Sequence, residues 1–362
     1  MDVGCTYGAK NTLDYTYVTH AQKAGADIRP LTEVKSFRPA DDGKGGWVVT
    51  CLTHDIHART TPGVLPPDRT YELHTDRLVV SAGTVGSTYL MLKMQAAGHL
   101  RNVSRMLGQR FSGNGDLLML ATGCTDRSGE PVRLNASRAP VITSTFRFPD
   151  SLDVKDAGRG FYLQDAGYPL VADFLWELLD TRNLVSRVAH FVWDRVRAIV
   201  MSSGSSEIDA ELEKLIGEGR MSSSSMPMLG MGRDTPDGRM TLRKTKTGVP
   251  TLDVSWADTG SRGYLGRVNA RTKEIATAMG GRFTENPLTS TFNRLITVHP
   301  LGGCPMGNSA HDGVVDSYGR VFGHPGLYVA DGSVMPGPVG ANPSFTIAAL
   351  ADRFADGIID EK

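Results

Sequence analysis

At 362 residues the chain exceeds the size that one hydrophobic core usually serves, so two lobes are expected. Thirty-nine basic residues balance thirty-nine acidic ones, which argues against a binder that works by neutralising nucleic-acid phosphates and favours small-molecule chemistry. No apolar run reaches the roughly 18 residues a membrane-spanning helix needs, and the four cysteines, Cys5, Cys51, Cys124 and Cys304, form no CxxC pair. Neither a zinc site nor a disulfide framework is indicated, and buried inert thiols are favoured over a catalytic one. As it stands the chain reads as cytoplasmic, with secretion left open if its true N-terminus lies upstream.

In chain order, "KNTLDYTYVTHAQKAGADIRPLTEVKSF" predicts a helix ending near Gly25 and then a short strand into Val34, half of a βαβ unit. "WVVTCL" and "RTYELHTDRLVVSAG" follow as two β-rich runs around a proline-rich loop. The second run ends in Leu78, Val79 and Val80, an apolar triplet expected to be buried on both faces, and Gly83 and Gly86 open the next helix. A strand, a glycine turn and a helix N-terminus let the backbone approach a cofactor and aim N–H groups at negative charge. Close helix–strand packing explains such glycines equally well.

From about 140 the texture changes. "YPLVADFLWELLDTRNLVSRVAHFVWDRVRAIVM" is apolar but interrupted by charges, and reads as two helices over a core or cavity or, as the sharper alternative, a lid touching a membrane surface. A serine-flanked acidic helix comes next, then a strand pair in "GRMTLRKTKTGVPTLDVSW" turning at Gly248. Near the end, "GLYVADGS" predicts a short buried strand closing on Asp331 and Gly332. "PSFTIAALADRFADGI" predicts a helix begun by Asn342 and Pro343. Open α/β sheets bind ligands at such carboxyl ends of strands. In "TVHPLGGCPMG", His299 precedes Pro300 and is either a working base or an extended turn residue.

These segments, with "LGQRFSGNGD" and "GRVFGHPGLYVADGSVMPGPVGANPSFTIAALADR", in this order, resemble the glucose-methanol-choline (GMC) oxidoreductases, and within them the cholesterol oxidase branch. The likeness runs from Gly8 to about Ala355 and is loosest over 140–290. It implies an α/β fold with an α+β substrate lobe, the FAD-binding two-lobe architecture, divided as residues 1–139 and 297–362 for the FAD lobe and 140–296 for the substrate lobe. It also implies a flavoenzyme that oxidises an alcohol, a 3-hydroxysteroid such as cholesterol first among candidates, with hydride passing to FAD and oxygen as acceptor. A non-steroid alcohol is the alternative, and peripheral membrane contact would suit a sterol.

By the resemblance, His299 lies over the flavin beside the substrate hydroxyl, with Asn342 next to it. The chemistry supports the pairing. Hydride loss builds positive charge on the carbinol unless its hydroxyl proton leaves, and an imidazole, with an ordinary pKa of about 6.5, can take it. Asn342 offers a donor and an acceptor without charge, and a helix N-cap role is compatible with this. The resemblance also carries Val34 to the adenine, Gly83 to the dinucleotide, Asp331 and Gly332 to the ribityl chain and ring, and Ser344 to the flavin. In the cholesterol oxidase branch a glutamate moves a proton during double-bond isomerisation. Gln164 occupies that position here and cannot act as a base, whereas Asp165 beside it could.

A strand–GxGxxG–helix for the FAD pyrophosphate does not occur in these residues. Set against the family, the fold is therefore expected to be N-terminally incomplete. The readings are a start placed at an internal methionine, a separately encoded N-terminal FAD-binding chain as partner, or a truncated and catalytically silent remnant.

Overall fold

A computed structural model of the chain describes residues 12–40, 45–54, 69–134, 136, 141–152, 154–167, 223–244, 248–256, 260–286, 289 and 295–361. The expected helices of 168–200 and the serine-flanked helix after them lie outside the described residues. The described chain begins with a π-helical turn, Asp14–Val18, running into α1, Thr19–Lys23. Then come β1 (Thr32–Pro39), β2 (Trp47–Thr53), β3 (Arg69–Thr75), β4 (Leu78–Val80) and α2 (Gly83–Ala96). Four strands follow, β5 (Leu117–Thr122), β6 (Thr145–Phe148), β7 (Phe161–Asp165) and β8 (Met226–Gly232). The hairpin of β9 (Arg239–Lys244) and β10 (Pro250–Ser255) precedes α3 (Arg262–Ala278) and β11 (Arg282–Glu285). The chain then reaches β12 (Leu327–Val329), a 3₁₀ turn at Gly332–Val334 and α4 (Ser344–Asp360).

These elements divide into two compact units. The first contains residues 116–232 and 262–296, and the second contains 10–115, 233–261 and 297–362. In the first unit a five-stranded antiparallel sheet, ordered β11-β5-β8-β7-β6, carries α3 on one face. Leu117, Met119, Phe161 and Leu163 from the strands meet Tyr264 and Val268 from the helix, residues four apart and hence on one helical face. Gly230 on β8 makes the close fit possible, because a Cβ there would sit 2.6 Å from Val268 Cγ1.

The second unit combines an antiparallel sheet, β1-β2-β3, with a parallel pair, β4 and β12, in register from Leu78↔Leu327 to Val80↔Val329. α2 buries Thr84, Ser87, Thr88, Met91, Leu92 and Met94 along one stripe. The core of this unit joins Met91 and Met94 to Phe37, Trp47, Val80, Leu327 and Val329.

Two expectations are corrected here. β1 pairs antiparallel with β2, not in the parallel pairing expected of half a βαβ unit: strand propensity marks a strand but not its partner. Val79 is 43 % exposed, so the β4 triplet is not buried on both faces. The hairpin turning at Gly248, the strand at 327–329 and the closing helix stand where the sequence puts them.

Candidate active site

The site is built in the second unit from the carboxyl ends of the parallel pair. β4 ends at Val80 and turns through Gly83, at φ +76°, into α2; β12 ends at Val329 and turns through Asp331. Asp331, 9 % exposed, ties these two ends together. Its Oδ2 accepts the Gly83 N–H at 2.9 Å and the Ser87 hydroxyl, and its Oδ1 accepts the Ser333 N–H at 2.8 Å and the Ser333 hydroxyl at 2.5 Å. Four donors fill the lone-pair directions of one carboxylate, so its charge is balanced inside the protein. Gly83 and Asp331, both singled out in the sequence, are thus directly bonded, and what they present outward is main chain.

Beside them runs the His299 segment, which has no regular secondary structure but is hydrogen-bonded on both sides. On one side Gly302 N–H donates to Gly332 O, Cys304 N–H to Ser333 O and Met306 N–H to Val334 O, at 2.8–3.0 Å. On the other side Leu301 and Ser112 exchange N–H···O bonds, and Gly303 pairs with Gly108 and Gln109. The two glycines are required by this double pairing. Gly302 has φ +85° and a Cβ there would lie 2.0 Å from Arg110 O, while at Gly303, φ +102°, it would lie 2.2 Å from Thr88 Oγ1. His299 itself is half-buried. Its N–H donates to Thr297 Oγ1 at 2.9 Å, and that hydroxyl donates to Gly113 O at 3.0 Å.

Asn342 is exposed and stands just before α4, whose first residues, Ser344 and Phe345, are exposed too, Phe345 to 90 %. The helix N-cap is Pro343 with no side-chain cap, which corrects the N-cap reading of Asn342. Sequence reasoning passed over the residue that fastens this loop, Asn114. Buried and at φ +55°, it accepts the N–H groups of Val339 and Gly340, each at 2.9 Å, and donates to Ala341 O at 2.8 Å. A second omission is Asp234, 5 % exposed, which accepts the Ser112 hydroxyl at 2.5 Å and the Gly113 N–H at 3.1 Å and so holds the loop before Asn114. The local signal for Asn114 was an asparagine between two glycines, a composition suited to a left-handed residue. Its partners, far away in the chain, left none.

Comparison with known proteins bears on this region directly. Residues 234–351 match the family model described as GMC oxidoreductase. This C-terminal stretch is therefore similar to the GMC oxidoreductases. It is 28 % identical over 373 residues to a cholesterol oxidase of Mycobacterium tuberculosis, covering 97 % of this chain and 57 % of that protein. It is 36 % identical over 372 residues to a long-chain-alcohol oxidase of Arabidopsis thaliana, covering 99 % of this chain and 45 % of that one. The chain therefore spans about half the length of these curated relatives. Among solved structures, an FAD-dependent oxidoreductase of Chaetomium thermophilum aligns with 96 % of this chain and 64 % of its own length, with a TM-score of 0.51 and 16 % identity, a likeness of fold.

The remaining residues fall as follows. Val34 lies on β1 opposite Cys51, beside an irregularity in register between Val34 and Ser36. Gly332 is buried under α4, where a Cβ would meet Thr84 Oγ1 at 2.9 Å and Ile347 Cδ1 at 3.3 Å. Gln164 and Asp165 belong to the first unit, on β7. Gln164 is buried and donates from Nε2 to Thr145 Oγ1 at 3.2 Å. Asp165 takes the backbone N–H and hydroxyl of both Thr143 and Ser144. Burial pushes its carboxyl pKa up, but these four donors outweigh that and hold it below the usual carboxylate range. Cys304 is fully buried, and its thiol is pushed up to about 12 by burial and then by the Asp331 charge. Among the described residues no His/Cys/Asp/Glu cluster could hold a metal, and no helix is long and apolar enough to cross a membrane.

Proposed function

We propose that this chain carries the alcohol-oxidising residues of an FAD-dependent enzyme acting on a bulky apolar alcohol, with a 3-hydroxysteroid such as cholesterol the first candidate and oxygen the acceptor. The observation that carries the reading is the His299 segment, seated between the 108–112 loop and the Asp331 turn inside the region matched by the family model. The donors suit a flavin dinucleotide. α4 starts without a capping side chain, and although Asp331 accepts the Gly83 N–H at the start of α2, a Cβ at Gly83 would meet nothing within 4 Å, leaving the strand–helix turn open to close approach by a ligand. Gly83, Gly332 and Ser344 are the groups assigned to hold FAD, which when bound supplies the two-electron acceptor.

The protein's share is positioning and proton handling. His299, held by Thr297 and the hydrogen-bonded segment after Pro300, takes the hydroxyl proton as the carbinol hydrogen leaves, and Asn342 orients the hydroxyl without adding charge. Asp165, whose two oxygens are taken up by Thr143 and Ser144 and whose basicity those bonds lower, supports oxidation without double-bond isomerisation. A long-chain alcohol as substrate is the second reading, favoured by the 36 % identity to the Arabidopsis long-chain-alcohol oxidase.

The test is anaerobic bleaching of bound flavin. The chain is prepared with FAD, alone and joined to the N-terminal FAD-binding segment of a full-length relative, and is offered cholesterol, a long-chain primary alcohol or ethanol. Bleaching by cholesterol, lowered in His299→Ala by on the order of 10²-fold or more, supports the sterol reading. Bleaching by the long-chain alcohol alone moves the assignment to the second reading. No bleaching with any alcohol while flavin is bound points to a silent remnant.

A further inference from the structure

We infer that Asn114 is a positioning residue that sets the main chain carrying Asn342 relative to the segment carrying His299. The inference rests on the proposed function for the roles of His299 and Asn342. Its geometric content does not.

Three observations meet at this side chain. First, Asn114 is fully buried and makes its three bonds to three consecutive residues, Val339, Gly340 and Ala341, which end immediately before Asn342. One carboxamide therefore fixes both the donor and the acceptor direction of that loop, which only Asn or Gln chemistry can do. Second, the residues just before it are bonded to the His299 segment. Ser112 exchanges main-chain bonds with Leu301, and Gly113 O accepts the Thr297 hydroxyl that also receives the His299 N–H. From His299 to Asn342 the path is thus Thr297, Gly113, Asn114 and Ala341, with each non-covalent link between 2.8 and 3.0 Å.

Third, the surroundings fix Asn114 itself. Its φ of +55° is a left-handed conformation in which asparagine is tolerated and most residues are strained. Its N–H donates to Ser112 Oγ at 3.0 Å, and that hydroxyl donates to the buried Asp234 carboxylate. Gly113 is pinned against Trp256, whose ring a Cβ would meet at 2.2 Å. The loop cannot shift without breaking the Asp234 bonds, so it acts as a fixed jig for the 339–341 segment.

The test uses Asn114→Gly, which keeps the left-handed backbone and removes the carboxamide, and Asn114→Asp, which keeps an oxygen for Val339 and Gly340 but loses the donor to Ala341. The first readout needs no activity. In Asn114→Gly, hydrogen exchange at the Val339 and Gly340 amides should quicken by at least tenfold while Ser112 and Leu301 keep their protection, and Asn114→Asp should restore protection. Unchanged exchange at 339 and 340, or equal loss at 112 and 301, overturns the inference whatever the enzyme does.

The second readout is flavin reduction by alcohol in the FAD-loaded protein. Asn114→Gly should lower its rate on the order of 10²-fold with KM little changed, and the double variant with Asn342→Ala should be no slower than Asn342→Ala alone. Multiplying effects would overturn the coupling to Asn342 while leaving the proposed function standing. A wild type that binds flavin and is never reduced would overturn the function, with the exchange result still deciding the geometry.

Discussion

The sheet of the first unit places Leu117, Met119, Phe161 and Leu163 on α3 by simple alternation along its strands. The layer that carries His299 is held otherwise, by main-chain bonds from 108–112 and 332–334 and by the buried polar side chains of Ser112, Asn114, Asp234 and Asp331. The difference concerns tolerance. Apolar contacts are non-directional, so a sheet-on-helix core accepts volume-conserving exchanges for about a kcal/mol. Buried polar groups must all be paired in the right direction, and losing one strands its partners. The second arrangement is less forgiving, and it fixes atoms more closely, as the proposed hydride and proton transfer would require.

The sharpest way to break this contrast is Gly302→Ala. The new Cβ would fall 2.0 Å from Arg110 O and 2.8 Å from its carbonyl carbon, both backbone atoms, at a φ of +85°. Neither strain nor clash can be relieved by a rotamer change, so a loss of about 4 kcal/mol or more is expected, read as loss of soluble folded protein or a large fall in urea midpoint. Gly230→Ala in the first unit is the control. Its clash is with the ends of the Val268, Leu163 and Met119 side chains, which can move, and about 1–3 kcal/mol should suffice. Equal losses at the two glycines would remove the distinction between the layers.

Next in size is Asp331→Ala, which leaves the Gly83 and Ser333 N–H groups and the Ser87 and Ser333 hydroxyls without their acceptor. About 3 kcal/mol is expected, with Asp331→Asn falling between the variant and wild type in thermal unfolding. Removing this charge also removes one of the two causes that raise the Cys304 thiol, although burial, the larger one, persists. A full alanine effect below about 0.5 kcal/mol would mean that the Asp331 network is incidental.

The same contrast explains what could be read from the sequence. The hairpin at Gly248, α2, β12 and α4 were legible because each announces itself locally, through a turn glycine, a helical stripe or a short apolar run. His299, Gly83 and Asp331 stood out locally, as a histidine before a proline, a strand-end glycine turn and a strand end, and the family resemblance supplied only their roles. The bond between Gly83 and Asp331 joins residues far apart in the chain, so no local pattern encodes it. β1 was misassigned for the same reason: residues 32–39 specify an extended segment, while the choice of an antiparallel partner is made by β2 and β3. Asn114 and Asp234 escaped because a polar residue in a glycine-rich loop looks solvated until its distant acceptors and donors are in place.

The smallest effect separates polar anchoring in the first unit from that in the second. Asp165 is partly exposed and holds a turn, so its four bonds are worth less than those of Asp331, and Asp165→Asn should cost about 1 kcal/mol at neutral pH after solvent screening. The sign of the pH dependence follows from its lowered pKa. A carboxylate whose folded value lies below the unfolded one, about 3.9, contributes stability above that value and loses it as pH falls through the folded value. The gap between wild type and Asp165→Asn in urea unfolding should therefore be open at pH 7, begin to close below about pH 4, and leave the variant with the flatter acid limb. A gap that stays the same from neutral to acidic pH would show that Thr143 and Ser144 bind the protonated carboxyl as well as they bind the carboxylate. Asp165 would then be as basic as an ordinary carboxylate, and its four bonds would carry no weight against a role in isomerisation.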